Sequence, residues 1–267
     1  MTAPGGVCAI LVLTASPLAP RERMRMSRNP LPAIADAFAE LIWPTHCLAC
    51  DYPDELICER CRAELPWIAQ RWACPSCGAP FGWLTCTECG RDWEPRATVC
   101  AWSFEDASAR TVTTFKDHHE LRLAPVIAAA LATALDEAAA WPARDGRPRY
   151  DSAELDAIAF VPATSAAYRR RGFDHMELVA RALARETGIP LADVLVRPRA
   201  KDQRGLTRDE RAANLAGTIR SIEDVSDLRI LLIDDVITTG ASIREATRAL
   251  GARGAAAVTA CALCRVW

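Results

Sequence analysis

Two adjacent carboxylates and a run of hydroxyl side chains lie close together near the end of the chain, at Asp234, Asp235, Thr238, Thr239, Gly240, Ala241 and Ser242. Adjacent carboxylates can accept hydrogen bonds from sugar hydroxyls or hold Mg²⁺, and threonine and serine hydroxyls can donate hydrogen bonds to a phosphate. Each half alone is more typical of a solvated turn or of a helix cap. Together, directly after an apolar run, they favour a loop that binds a sugar phosphate.

The elements around this loop are predicted to hold it at one edge of a sheet. Arg229–Ile233 is typical of a strand buried on both faces, and Ser242–Leu250 has the pattern of a helix. We therefore expect Asp234 and Asp235 in an acidic turn at the carboxyl end of the strand, where open α/β sheets bind ligands. The positive end of the helix dipole attracts a phosphate, and Gly240 lets the backbone approach it closely.

Cysteine spacing indicates a second kind of site. Eight of the 12 cysteines form four Cys-x-x-Cys pairs, namely Cys47/Cys50, Cys58/Cys61, Cys74/Cys77 and Cys86/Cys89. Random placement in a chain of 267 residues would give roughly half a pair at this spacing. Each tight turn aims two thiolates at one ion, so two pairs supply the four ligands of a structural zinc ion. We predict two zinc ions held by consecutive pairs, and the sequence leaves an interleaved pairing open.

The composition argues against several classes of partner and location. The net charge is −2 and the isoelectric point is about 6.1, so no overall field favours nucleic acid or an anionic membrane. No apolar run reaches the roughly 18 residues that a membrane span needs. The apolar run Ala9–Ala15 is short and follows no basic residue, so we expect no signal peptide and a cytoplasmic protein. In that compartment paired cysteines favour metal over disulfides.

The chain divides into three predicted regions. Residues 1–29 are expected to be a disordered extension or the result of a misassigned start. Residues 30–95 are predicted to form an amphipathic helix over Leu31–Ile42, followed by a double zinc-ribbon module. In residues 96–267, strand-like and helix-like segments alternate, which predicts an α/β domain with a mostly parallel sheet and helices on both faces.

Alternation within this last region gives a specific set of elements. The predicted strands are Val99–Phe104, Ala157–Val161, Val194–Val196, Arg229–Ile233 and Ala256–Leu263. The predicted helices are Ala107–Phe115, Leu123–Ala140, His175–Thr187 and Ser242–Leu250.

A second group of candidate binding residues lies in the middle of the α/β region. A small-residue loop of Ala163, Thr164 and Ser165 follows a strand that ends near Pro162, and Arg169, Arg170 and Arg171 come soon after. Such an arginine cluster can hold pyrophosphate, although charge alone favours a solvated helix face. The polar stretch 200–215 has the length of a lid or a disordered insert.

The motifs of this chain, and the order in which they occur along it, resemble those of the ComF family of competence-associated proteins. The Asp234–Ser242 segment resembles the phosphoribosyl pyrophosphate (PRPP) motif of type I phosphoribosyltransferases, with Ser242 in place of the last threonine. The family order is also followed by the paired cysteines and by Lys116, Val161-Pro162, Arg171-Gly172-Phe173, Gln203, Leu206, Glu210-Arg211 and Asn214. The resemblance covers about residues 40–265. Asp174-His175 stands where the family usually has Asn-Gln, and Ala163-Thr164 where Leu-His is common.

The resemblance implies a type I phosphoribosyltransferase fold, preceded by a small cysteine-rich zinc-ribbon module. It implies that Thr238–Ser242 bind the 5-phosphate of PRPP, and that Asp234 and Asp235 bind the ribose hydroxyls together with Mg²⁺. Pyrophosphate or lid contacts are implied for Lys116, Pro162, Ala163, Thr164, Arg169, Arg170, Arg171, Gln203 and Arg211. The implied reaction transfers ribose 5-phosphate to an unknown nucleobase or amine with release of pyrophosphate, in a protein linked to DNA uptake and natural transformation.

A non-catalytic alternative remains open. The protein would then sense PRPP, or act as an adaptor whose zinc ribbons bind single-stranded DNA or DNA-uptake proteins. Trp67, Trp72, Trp83 and Trp93 could stack on bases, but the stretch that contains them is not strongly basic. Core packing or contacts with proteins are therefore the favoured interpretation for most of them.

Overall fold

The computed structural model describes residues 44–90, 93–197 and 218–267. Within these, the chain from Thr45 to Trp267 forms one compact unit. The predicted helix Leu31–Ile42 lies outside the described residues, as do residues 1–29 and the proposed lid with Gln203 and Arg211. The predicted division of the chain into three regions stays a prediction.

Strands and helices alternate along most of the described chain. The strands are β1 (Ala97–Ser103), β2 (Ala157–Phe160), β3 (Leu195–Val196), β4 (Arg220–Ser221), β5 (Arg229–Ile237) and β6 (Ala257–Arg265). The α-helices are α1 (Glu59–Ala63), α2 (Asp106–Asp117), α3 (Leu123–Ala138), α4 (Ser165–Arg171), α5 (His175–Thr187) and α6 (Ala241–Gly251), and a short 3₁₀ turn covers Ser152–Glu154. No helix of the described segments is both long and apolar enough to cross a membrane.

The main sheet has four parallel strands in the order β1-β6-β5-β2. Its central strands are apolar because helices cover both faces, as the sequence predicted. On β5, Leu231 and Ile233 belong to the core that contains α2, α3 and α5. Ile230 and Leu232 belong to the core that contains α6. Side chains therefore alternate between two separate hydrophobic layers along this strand.

The expected acidic turn after Ile233 is wrong, because β5 continues to Ile237 and contains both carboxylates. The neighbouring strand β6 provides the reason. It pairs with β5 well past Ile233, at Asp234 with Ala262 and at Ile237 with Arg265. The loop that connects the sheet to α6 is consequently short, and it begins only at Thr238.

Two other expectations about the middle of the chain also change. Val194–Val196 was expected in the parallel sheet, but β3 pairs with β4 in a separate antiparallel ribbon. Ser165 was expected in a loop, but it begins helix α4, which Thr164 caps by accepting a hydrogen bond from the Ala167 amide at 3.2 Å. The three arginines of the predicted pyrophosphate cluster therefore lie in the last turn of a helix.

Candidate functional site

The loop between β5 and α6 presents hydrogen-bond donors at the carboxyl edge of the sheet. Thr238 and Thr239 are exposed, and Gly240 occupies the N-cap position of α6 in a left-handed conformation, with φ of 76°. No side chain among the described residues caps the first turn of this 11-residue helix. Its first amides, which have no partner within the helix, are therefore available to an anion together with the two hydroxyls.

Asp235 lies on the sheet face covered by α2 and α5, where two donors hold it. The Lys116 ammonium, in the last turn of α2, is 2.5 Å from Asp235 Oδ2. His175, the first residue of α5, makes a short hydrogen bond from Nε2 to the same oxygen. Lys116 thus forms an ion pair with a largely buried carboxylate, and its predicted contact with pyrophosphate stays a prediction.

His175 is oriented by a third side chain. Arg171 Nη1 donates to His175 Nδ1 at 3.2 Å, and because a guanidinium cannot accept, Nδ1 must be the acceptor. The ring proton is then on Nε2, where it points to Asp235. Arg171, His175 and Asp235 form a chain of hydrogen bonds that links α4, α5 and β5.

The two carboxylates differ in their protonation. Burial raises the pKa of Asp234 to about 8, and the negative charge of Asp235 adds to this effect. Burial also acts to raise the pKa of Asp235, but the His175 hydrogen bond and the Lys116 charge outweigh it and lower the pKa to about 2. The surroundings therefore favour the ionised form of Asp235 and the protonated form of Asp234.

Arg197, which the sequence analysis missed, brings a cation to the other side of the site. Its Nη2 donates to Ser242 Oγ at 2.9 Å, and its positive charge acts on Asp234. The residue directly follows β3. Its position after a predicted strand was the only signal in the sequence, and the pairing with α6 could not be read from it.

Asp174, the N-cap residue of helix α5, holds the loop Pro162–Thr164 in place. Asp174 Oδ2 accepts a hydrogen bond from the Ala163 amide at 2.6 Å, and its Oδ1 accepts one from the Met176 amide at 3.0 Å. Asp174 therefore caps α5 and fixes the loop with the same carboxylate. Asp174 and Ala163 both belong to segments in which the chain departs from the family pattern.

The predicted arginine cluster divides among three environments. Arg170 pairs with Asp117 at 3.1 Å on the surface, and Arg171 binds His175. Arg169 is exposed and lines a cleft of about 350 Å³ with Pro162 and Arg197. Arg169 and Arg197 are thus the cations that face this cleft from two different elements.

The eight paired cysteines form two groups with the arrangement expected from consecutive pairs. The first cluster is Cys47, Cys50, Cys58 and Cys61, and the second cluster is Cys74, Cys77, Cys86 and Cys89. Within each cluster all sulfur atoms lie within 4.8 Å of one another.

Sulfur separations test whether these clusters fit a metal. They are 3.6 Å for Cys50–Cys58, 3.8 Å for Cys74–Cys89 and 3.6 Å for Cys77–Cys86. A tetrahedral zinc ion with bonds of about 2.3 Å places its sulfur ligands about 3.8 Å apart. Both clusters could therefore hold structural zinc.

The four tryptophans considered for base stacking occupy different environments. Trp67 stacks edge-on against Trp102 with ring centroids 5.6 Å apart. Trp72 and Trp83 are exposed at the surface near the second cluster. Trp93 is partly buried, and it packs against the second cluster.

Comparison with known proteins agrees with this architecture. Residues 170–266 match the model of the phosphoribosyl transferase domain. The "DNA utilization protein YhgH" of Salmonella typhi is 31% identical over 234 residues, which cover 83% of this chain and 97% of that protein. The "Competence protein ComFC" of Bacillus subtilis is 24% identical over 214 residues, which cover 77% of this chain and 82% of that protein.

Among solved structures, one titled "Structure of the allosteric regulatory enzyme of purine biosynthesis" is 20% identical with a TM-score of 0.35. The alignment covers 54% of this chain and 25% of that one.

The parallel sheet, the loop before α6 and the family-model match define a type I phosphoribosyltransferase domain, as the sequence predicted. Two four-cysteine clusters precede this domain. The chain belongs to the ComF family of phosphoribosyltransferase-like proteins.

Proposed function

We propose that this protein binds PRPP at the carboxyl edge of its sheet and transfers ribose 5-phosphate to a nitrogen acceptor. The observation that carries this proposal is the uncapped start of α6 directly after the two carboxyl side chains of β5. Helix-start amides suit a phosphate, and a carboxylate pair suits ribose hydroxyls. Membership of the ComF family supports the same ligand.

The 5-phosphate is assigned to Thr238–Ser242. Thr238 and Thr239 offer exposed hydroxyls, and the α6 amides offer fixed donors that need no rearrangement. Arg197 is hydrogen-bonded to Ser242 and adds positive charge at the edge of the loop.

The ribose is assigned to Asp234 and Asp235. Both described contacts of the Asp235 carboxylate use Oδ2, so we assign Oδ1 to a ribose hydroxyl. The ionised Asp235 also favours the positive charge that develops on the ribose as its bond to pyrophosphate weakens.

Pyrophosphate is assigned to the cleft that Arg169 and Arg197 face. Oxygen donors such as Asp234 suit Mg²⁺, which would supply charge neutralisation to the leaving group. The C1–O bond to pyrophosphate breaks, a C1–N bond forms, and the acceptor nitrogen loses a proton. The acceptor class is a nucleobase or an amine.

A turnover screen tests catalysis. The protein would be incubated with PRPP, Mg²⁺ and pools of nucleobases or amines, and released pyrophosphate would be measured. We expect release above the rate of PRPP hydrolysis with at least one pool, and loss of that release in Thr239→Val. Binding without any turnover would leave a PRPP sensor in place of an enzyme.

We assign one structural zinc ion to each cysteine cluster, and the sulfur separations support this. Metal analysis of the purified protein should give two zinc ions per chain, and fewer than one would contradict the assignment. The same proposal puts the protein in the cytoplasm, where thiols stay reduced.

The names of the two relatives, a DNA utilization protein and a competence protein, support a role in DNA utilization and competence. A second candidate function, binding of single-stranded DNA, rests on the aromatic surface beside the second cluster. Trp72 and Phe81 are exposed there, and the Arg71 guanidinium lies 4.6 Å from the Trp72 ring centroid. Stacked bases and a nearby cation are what such binding uses.

A gel shift at low salt tests this second function on the whole protein. We expect single-stranded DNA to be retained and the Trp72→Ala/Phe81→Ala variant to retain it less. Equal retention by the variant would remove this surface from consideration, and double-stranded DNA of the same sequence serves as the control.

A further inference from the structure

Trp93 contacts both the second cysteine cluster and the loop Thr238–Ser242, which we call the phosphate loop. Its ring packs against the cluster of Cys74, Cys77, Cys86 and Cys89. Atoms Cη2 and Cζ3 of the same ring lie so close to Gly240 that a Cβ at that position would overlap them. Its indole nitrogen donates to Thr98 Oγ1 at 2.9 Å on β1, which fixes the ring between the two sites.

Arg265 makes a second, independent connection. This side chain is only 2% exposed. Its Nε donates to the Cys77 carbonyl at 3.2 Å, and Nη1 donates to the Thr238 carbonyl at 2.6 Å and to the Ile237 carbonyl at 3.1 Å. One planar guanidinium thus fixes the backbone of a cysteine turn relative to the first residue of the phosphate loop.

A third contact reaches helix α6 itself. Glu94 follows Trp93 and accepts a hydrogen bond from Arg248 Nε at 2.7 Å. In the segment that follows the second cluster, Trp93 therefore contacts the phosphate loop and Glu94 contacts helix α6.

The first cluster packs elsewhere. Leu48 and Leu56, which flank its ligands, pack against the core that contains α2 and α3. Thr45 accepts a hydrogen bond from Arg122 Nη1, just before α3, at 2.6 Å. The described contacts of this cluster are thus with the helical layer opposite α6, so it provides an internal comparison.

We propose that Trp93 and Arg265 are positioning residues that couple metal binding at the second cluster to phosphate binding at Thr238–Ser242. The inference rests on the proposed PRPP site. A metal ion would fix the Cys77 turn, and the two side chains would then hold the loop in its binding conformation. Such coupling is reciprocal, so PRPP must raise the affinity of the second cluster for zinc.

Zinc affinity tests the reciprocal effect without measuring activity. Zinc is brought to equilibrium with a competing chromogenic chelator, with or without PRPP and Mg²⁺, in wild type, Cys58→Ser and Cys86→Ser. Cys58→Ser isolates the second cluster, and Cys86→Ser isolates the first. We expect PRPP to raise the zinc affinity of the second cluster by about 5-fold or more, a typical coupling, and to leave the zinc affinity of the first cluster unchanged.

Two further variants test the named residues. Trp93→Leu keeps an apolar side chain without the ring, and Arg265→Lys keeps the charge but cannot bridge both carbonyls. In each we expect two bound zinc ions and a smaller effect of PRPP, whereas Trp67→Leu should retain the full effect.

The outcomes separate the two proposals. If wild-type protein binds PRPP but has the same zinc affinity with and without PRPP, the coupling is overturned and the PRPP site stays intact. An equal gain in zinc affinity at both clusters also overturns the coupling. Failure of the wild type to bind PRPP overturns the proposed function and the coupling with it.

Discussion

Asp234 and Asp235 are neighbours in the sequence, yet the strand places their side chains on opposite faces of the sheet. Asp235 meets Lys116 and His175, which keep it ionised. Asp234 is buried, and burial raises the pKa of its carboxyl to about 8. This favours the protonated carboxyl in the free protein, and a ligand that needs both carboxylates must then remove a proton.

The first prediction concerns the pH dependence of PRPP binding. Because the pKa of Asp234 is about 8, this carboxyl must lose a proton to bind Mg²⁺ or to act as a pure acceptor. Affinity for PRPP with Mg²⁺ should rise between pH 7 and 8, by at most about tenfold per unit, and level off above. Calorimetry at constant ionic strength measures this, and the rise should be absent in Asp234→Asn. Identical slopes for the two proteins would contradict the assignment.

The second prediction concerns Lys116. Lys116→Met leaves the largely buried Asp235 carboxylate without its cation and should lower the free energy of unfolding at pH 7 by about 2 kcal/mol. The lowered pKa of Asp235 stabilises the folded state above about pH 4, and this contribution is lost as the pH falls towards 2. The difference between variant and wild type should therefore shrink at pH 3.

A matched control separates this effect from loss of any surface ion pair. Arg170 pairs with Asp117, but both side chains are largely exposed. Arg170→Met should change the free energy of unfolding by no more than about 0.5 kcal/mol. If urea titrations gave equal losses in the free energy of unfolding for the two variants, the buried Lys116–Asp235 pair would stabilise the fold no more than an exposed ion pair does.

Among the helices and strands, the sequence predicted the bounds that depend on interactions between residues close together in the chain. The helix His175–Thr187 was predicted with its observed bounds, because its apolar periodicity and its Asp174 cap are both local. The continuation of β5 through Asp234 and Asp235 was not predicted, because it depends on pairing with β6. Arg197 was missed for the same reason, since its partner Ser242 lies far along the chain.

The third prediction concerns Gly240, whose Cβ direction is blocked by the ring of Trp93. Gly240→Ala must adopt a left-handed conformation and also displace Trp93. We expect a loss of about 2 kcal/mol or more in the free energy of unfolding, and weaker PRPP binding.

Gly188, at the end of α5, is the control because it has the same φ of 76° but open space around its Cβ direction. Gly188→Ala should cost only about 1 kcal/mol and leave PRPP affinity unchanged. Equal effects of the two substitutions on stability and binding would show that Trp93 does not constrain the loop.

For the whole molecule, the cysteine-rich segment is part of the same packed structure as the sheet. Arg149 is fully buried and donates to the carbonyls of Gln70, Ala73 and Pro142 at 3.0–3.1 Å. Such a buried guanidinium is tolerated because backbone acceptors satisfy it. The cysteine spacing predicted two metal clusters, but it could not predict that the second would lie beneath the phosphate loop.

The central claim is that Asp234–Ser242 bind PRPP, and calorimetry with Mg²⁺ at pH 8 tests it most directly. Wild type should bind PRPP, and free ribose 5-phosphate should compete. Asp234→Asn and Thr239→Val, which change one oxygen or one exposed hydroxyl, should each lower the affinity by about tenfold, the equivalent of one lost hydrogen bond. Binding of equal strength by wild type and both variants, or no binding by folded wild type, would contradict the account.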